Sequence, residues 1–115
     1  AYASKTAVTD ELVDVLSSPA YDRNAVKALR AMVRSTGSPT QDYTAKTVLP
    51  TLTIPMLLFW GLKDMMVPPQ LAKQFINYNP NLKLVEIENA GHCPHDECPE
   101  LVNQEILNWV NTWVN

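Results

Sequence analysis

The sequence predicts an α/β fold, a β-α-β-α stretch of parallel sheet preceded by helices, and three observations lead there. Met56-Leu57-Leu58-Phe59-Trp60 is apolar at every position, the mark of a strand covered on both faces, as in a parallel sheet. Before and after it, apolar residues recur at three- and four-residue steps, the helical period. A second strand pattern runs from Leu82 to Glu88 and leads into Ala90-Gly91-His92, as the first leads into Trp60-Gly61-Leu62-Lys63-Asp64. An Asp and a His are therefore expected at neighbouring ends of one sheet.

The elements follow in order. Thr9 is the expected N-cap of a first helix, with Asp10 and Glu11 favoured at the positive end of its dipole. That helix carries Leu12, Val15 and Leu16 on one face and stops before Pro19. Asp22 is the expected N-cap of a second, whose Ala25, Val26, Leu29, Met32 and Val33 form one apolar stripe that Gly37 ends. Ser38 to Thr44 reads as turn, with Pro39 and several hydrogen-bonding side chains. Pro55 sits at a strand start, where its missing N–H is tolerated. Pro68 and Pro69 open a helix through about Tyr78, with Leu71, Ala72, Phe75 and Ile76 inward. In the second strand Leu82, Leu84, Val85 and Ile87 are apolar among Lys83, Glu86 and Glu88, which suggests a place nearer the sheet edge. Pro99 lies in the first turn of the last helix, which sets Val102, Ile106, Trp109, Val110 and Trp113 on one face. The composition shifts near Pro50, which divides residues 1–49, helical with a polar connector, from the sheet-forming residues 50–115.

At 115 residues, 46% hydrophobic and 18% charged, the chain is ordinary globular material of single-domain size. Its longest apolar run falls far short of the ~20 residues of a membrane-spanning helix. A net charge of −3 and an isoelectric point near 5.2 argue against nucleic acid or an anionic membrane as main partner. The first residues, Ala1-Tyr2-Ala3-Ser4-Lys5, have neither an initiating Met nor an apolar core, so no secretory leader is expected and the chain reads as beginning inside a longer frame. Cys93 and Cys98 would close only a very short loop as a disulfide, and free thiols in a reducing compartment are expected instead. A fully apolar strand needs neighbours on both edges, and two strands do not supply them. The chain is thus expected to be part of a larger sheet, or to complete one with a second copy.

Two segments resemble the α/β-hydrolase fold family. Ile54 to Pro68 is similar to its strand-and-acid segment, and Glu88-Asn89-Ala90-Gly91-His92-Cys93-Pro94-His95-Asp96-Glu97-Cys98-Pro99-Glu100 to its histidine loop and the start of its last helix. The wording Gly-His-x-Pro-His-x-Glu-x-Pro-Glu is closest to cofactor-independent, pheophytinase-like hydrolases of plants and cyanobacteria. The resemblance implies the C-terminal β-α-β-α portion of that sheet, with residues 1–49 as the end of a helical cap. It implies Asp64 as triad acid, His92 as general base, no cofactor and a small apolar ester as substrate; the compartment stays open, the free thiols pointing to a reducing one of cytoplasmic or plastid type. Singly, a loop Asp and a turn His are ordinary surface residues; the pair, in matching strand contexts and in acid-before-histidine order, carries the assignment.

The chemistry suits those residue types. A His that relays protons near neutral pH needs one ring nitrogen fixed by an acceptor, so that the other faces the nucleophile in the right tautomer. Gly61 is expected to permit the tight turn before Asp64, and Gly91 to swing His92 over the neighbouring strand. No Gly-x-Ser-x-Gly elbow occurs in the sequence, whose only glycines are Gly37, Gly61 and Gly91. The nucleophile and oxyanion hole are thus expected outside these residues, and the chain alone is expected to be inactive. An epoxide hydrolase or dehalogenase with an Asp nucleophile stays open beside the esterase, as does a non-catalytic, dimeric binding module. His92, Cys93, His95, Asp96 and Cys98 also cluster, but a zinc site usually pairs two separated ligand groups, so no metal is expected. His95 and Asp96 are expected to cap and pack the last helix. Met65, Met66 and Val67 either pack under the cap or line an apolar pocket.

Overall fold

The computed structural model describes residues 1–36 and 44–114. Among these residues eight segments are α-helix or strand: α1 (Asp10–Ser17), α2 (Ala25–Thr36), α3 (Ala45–Val48), β1 (Met56–Gly61), α4 (Ala72–Tyr78), β2 (Leu82–Ile87), α5 (Pro94–Glu97) and α6 (Pro99–Val114), with short 3-10 turns between several of them. β1 and β2 pair in parallel, Met56 opposite Leu82 and Gly61 opposite Ile87.

The strand starts are matched by a buried amide. Asn79 donates from Nδ2 to the carbonyls of Leu49 and Leu52 at 2.6 and 2.7 Å, and its Oδ1 accepts the Asn81 N–H at 2.7 Å. One side chain therefore ties the segment entering β1 to the segment entering β2. The Met56 N–H then donates to Asn81 O at 3.0 Å, and the register is set. A parallel register set at the starts brings both strand ends out at one edge of the sheet.

Expectation and structure part in several places. Thr9 caps α1 as expected, accepting the Leu12 N–H at 3.1 Å. α2 begins later than a cap at Asp22 would require, because that carboxylate and carbonyl bind Asn24 and Ala25 in a turn of their own. Two short helices lack an apolar stripe and escape a periodicity reading. α3 is announced instead by a Thr44–Thr47 capping box, and α5 opens on Pro94. Gly37 and all but the last residue of the turn expected over Ser38 to Thr44 lie outside the described residues, and Thr44 itself is the N-cap of α3.

The largest departure concerns coverage. Met56 to Trp60 was expected to be covered on both faces, yet every one of these residues stays partly exposed. The buried apolar set among the described residues is small: Ile87, Ala90 and Val102, backed by Phe59, Val85 and Cys98, with Ala72 and Leu82 buried outside this cluster. On α2, Val26, Leu29, Met32 and Val33 are all more than 60% exposed, and Trp113 of α6 is 61% exposed. The radius of gyration is 17.0 Å, against about 13 Å for a compact domain of this length. These residues have the periodicity of core positions with too little protein to bury them.

Candidate active site

The loops leaving the two strands are laced together before either presents a side chain. Beyond β1, Leu62 N–H donates to Ile87 O at 2.9 Å and Lys63 N–H to Ala90 O at 3.0 Å. Lys63 Nζ also reaches Asn89 Oδ1 at 2.9 Å. Gly61 is required by this closeness, because a Cβ there would lie 2.1 Å from the Gly91 carbonyl oxygen and 2.3 Å from that of Ala90. No described glycine has a positive φ. The roles expected of Gly61 and Gly91 are thus corrected: both are needed for close approach of backbone, not for an unusual turn or swing.

Asp64 sits at the centre of this lacing with only 5% of its side chain exposed. Its Oδ1 accepts the N–H groups of Met66 and Val67 at 2.8 and 3.0 Å, which orients the carboxylate. Its Oδ2 lies 2.9 Å from His92 Nδ1. Burial pulls this carboxyl's pKa upward, but the Val67 and Met66 amides and the His92 ring outweigh it, and the net shift is downward. The ionised form is held by three hydrogen bonds. His92 has 40% of its side chain exposed and borders a small cleft of about 140 Å³ walled by Phe59, Trp60, Val67 and Pro94. Trp60 stacks at a tilt on Phe75, and its Nε1 reaches Val67 O at 3.4 Å, bracing the loop that carries Asp64.

A model of the alpha/beta hydrolase family matches residues 2–105. The chain belongs to that family. This hydrolase chain is 40% identical over 57 residues to the chloroplastic pheophytinase of Arabidopsis thaliana, a match covering 50% of the chain and 12% of that protein. Among solved structures it is similar to a thermophilic esterase from Thermogutta terrifontis, with a TM-score of 0.56 and 34% identity over 59% of the chain and 25% of the esterase. It is also similar to an alpha/beta hydrolase from the metagenome of lagoon sediments at Mar Chica, Morocco. There the TM-score is 0.71 and the identity 27%, over 92% of the chain and 47% of that protein. The chain therefore spans less than half the length of each of these relatives, and its two strands with their helices are a portion of the alpha/beta hydrolase fold.

Of the residues singled out from the sequence, Asp64 and His92 come together. Val67 joins them, its N–H on Asp64 and its side chain on the cleft beside His92, as the pocket-lining alternative expected. Met65 and Met66 are 91% and 61% exposed, so they do not pack under the helices of residues 1–49. His95 is exposed, and Asp96 accepts the Tyr2 hydroxyl at 2.5 Å, a bond that raises that phenol above its ordinary pKa. Both cysteines are free thiols, and among the described residues no group of three or more His, Cys, Asp or Glu side chains converges on a metal-sized point. The sequence reading missed the part played by residues 1–4, which run along the histidine loop: Ala1 O accepts the His92 N–H at 2.7 Å. It also left Glu97, which was visible in the motif, without a role.

Proposed function

We propose that this chain carries the acid and the base of a nucleophile–His–Asp hydrolase acting on a small apolar ester. Asp64 orients the imidazole, and His92 is the general base. The observation that carries the reading is the 2.9 Å contact between a buried, doubly anchored carboxylate and a half-exposed ring at adjoining ends of a parallel sheet. Asp64 holds the proton on Nδ1, which leaves Nε2 as an acceptor. A nucleophile hydroxyl attacks the ester carbonyl and gives its proton to Nε2; His92 passes that proton to the departing alkoxide. Water then repeats the sequence on the acyl-enzyme and releases the acid. The likeness to a named esterase supports an ester as substrate.

The nucleophile in this reading comes from outside these residues. Ser4 bonds Thr6 at 2.6 Å, while Ser17 and Ser18 bond backbone carbonyls of α1 at 3.4 and 3.0 Å. Among the described side chains, no serine hydroxyl is bonded to His92. Residues 1–49 then form a cap-like segment and residues 50–115 part of the core, consistent with the uncovered apolar faces of α2 and β1.

The test uses the isolated chain and a chimera in which residues 50–115 replace the corresponding segment of the Thermogutta esterase. The isolated chain is expected to show no His92-dependent hydrolysis of a p-nitrophenyl ester. The chimera is expected to hydrolyse it and to lose that activity with His92→Ala. A chimera that stays fully active without His92 refutes the assignment.

A further inference from the structure

Among the described residues the His92 ring makes one side-chain hydrogen bond, to Asp64, so the bonds that fix its backbone also decide where the imidazole sits. Two bonds fix it. The His92 N–H donates to Ala1 O at 2.7 Å, and the preceding N–H, of Gly91, donates to Glu97 Oε1 at 2.7 Å. The segment holding the first bond is itself held by the residue making the second: Glu97 Oε2 accepts the N–H groups of Ala3 and Ser4 at 2.6 and 3.2 Å. There is no slack in the arrangement, because a Cβ on Gly91 would lie 2.2 Å from Ala1 O. Glu97 has a firm base as well. Its N–H donates to Cys93 O at 2.9 Å, and the next residue, Cys98, packs on Ile87, Ala90 and Val102.

We propose that Glu97 is a positioning residue for the general base: its carboxylate binds the backbone of the histidine loop and of residues 1–4 together, and so holds the His92 ring against Asp64. The proposal rests on the Asp64–His92 reading above. A carboxylate suits the task because it is acceptor-only on both oxygens and can face N–H groups on two sides. Glutamine cannot, since one end of its amide would turn N–H groups toward N–H groups.

The experiment is long-range ¹H–¹⁵N NMR of the imidazoles in the 115-residue chain, recorded in mildly alkaline buffer. In the wild type, His92 is expected to hold its proton on Nδ1, with Nε2 resonating as an unprotonated nitrogen. The exposed His95 supplies the ordinary tautomer ratio within the same molecule. Glu97→Gln is expected to erase the His92 preference and bring its ratio to that of His95. Val102→Ala, which loosens the nearby core without touching the loop bonds, is expected to leave His92 as in the wild type. An unchanged His92 in Glu97→Gln overturns the proposal, and so does an equal loss in Val102→Ala, which would mark Glu97 as merely structural. A wild-type His92 that already matches His95 overturns the underlying Asp64–His92 reading too, so the two failures are distinct. If Glu97→Gln gives no folded chain, Glu97→Asp, which keeps the charge and shortens the arm, is judged by the same criterion.

Discussion

Replacing Asp64 by Asn tests the proposed chemistry with almost no change in shape. The two backbone bonds decide which way the new amide faces. Met66 and Val67 point their N–H groups at Oδ1 from 2.8 and 3.0 Å, so the amide oxygen must stay there. The alternative sets an NH₂ against two donors and leaves them unsatisfied, at about 1–3 kcal/mol each. The NH₂ therefore takes the place of Oδ2, 2.9 Å from His92 Nδ1. Facing a donor, Nδ1 must become the acceptor, and the ring proton moves to Nε2, the atom that has to receive the nucleophile's proton. The same acid-to-amide change in a Ser-His-Asp protease lowers kcat about 10⁴-fold, or about 5 kcal/mol on the barrier. A loss of that order is expected here, in kcat rather than KM, because the amide alters the base and not the substrate cleft. Steady-state kinetics of the esterase chimera with a p-nitrophenyl ester measure it. A variant within about tenfold of the parent, a change of only about 1.4 kcal/mol, would refute both the forced amide orientation and the role given to His92.

Other expectations concern folding. Gly61→Ala puts a methyl group into the backbone carbonyls of Ala90 and Gly91, neither of which can rotate away. Overpacking of this kind typically destabilises by about 1–3 kcal/mol, so the urea midpoint is expected to fall clearly below wild type; an unchanged midpoint would mean that the two loops do not approach as described. Acid is expected to weaken the chain through Asp64. Its folded pKa is lowered, so its contribution is complete above the ordinary Asp value of about 3.9 and is lost as pH falls through the depressed folded value. Urea titrations of wild type and Asp64→Asn from neutral pH downward are expected to converge in that range. A gap between the two that widens toward low pH would contradict the sign.

Much of the layout was legible in the sequence because its signals are local. An unbroken apolar run marked β1, alternation with apolar ends marked β2, and Thr9 and Pro99 marked helix starts, since each signal depends on neighbours within a turn or a few strand positions. Asp64 and His92 could be paired for the same reason, as parallel strands of matched length deliver their following loops to one edge. Contacts between distant segments leave no such trace. Nothing in Ala1-Tyr2-Ala3-Ser4 hints that it lies along the histidine loop, and Glu97, which binds Gly91 within that loop, gains the other two of its three N–H partners only when that segment arrives. The two glycines show the difference best: the sequence could say that a side chain is missing at Gly61 and Gly91, whereas only the folded chain reveals that neighbouring backbone occupies the space. Exposure, too, belonged to the tertiary structure. Periodicity states which faces are apolar, but burial depends on what is packed against them, and for β1 and α2 the described residues supply too little.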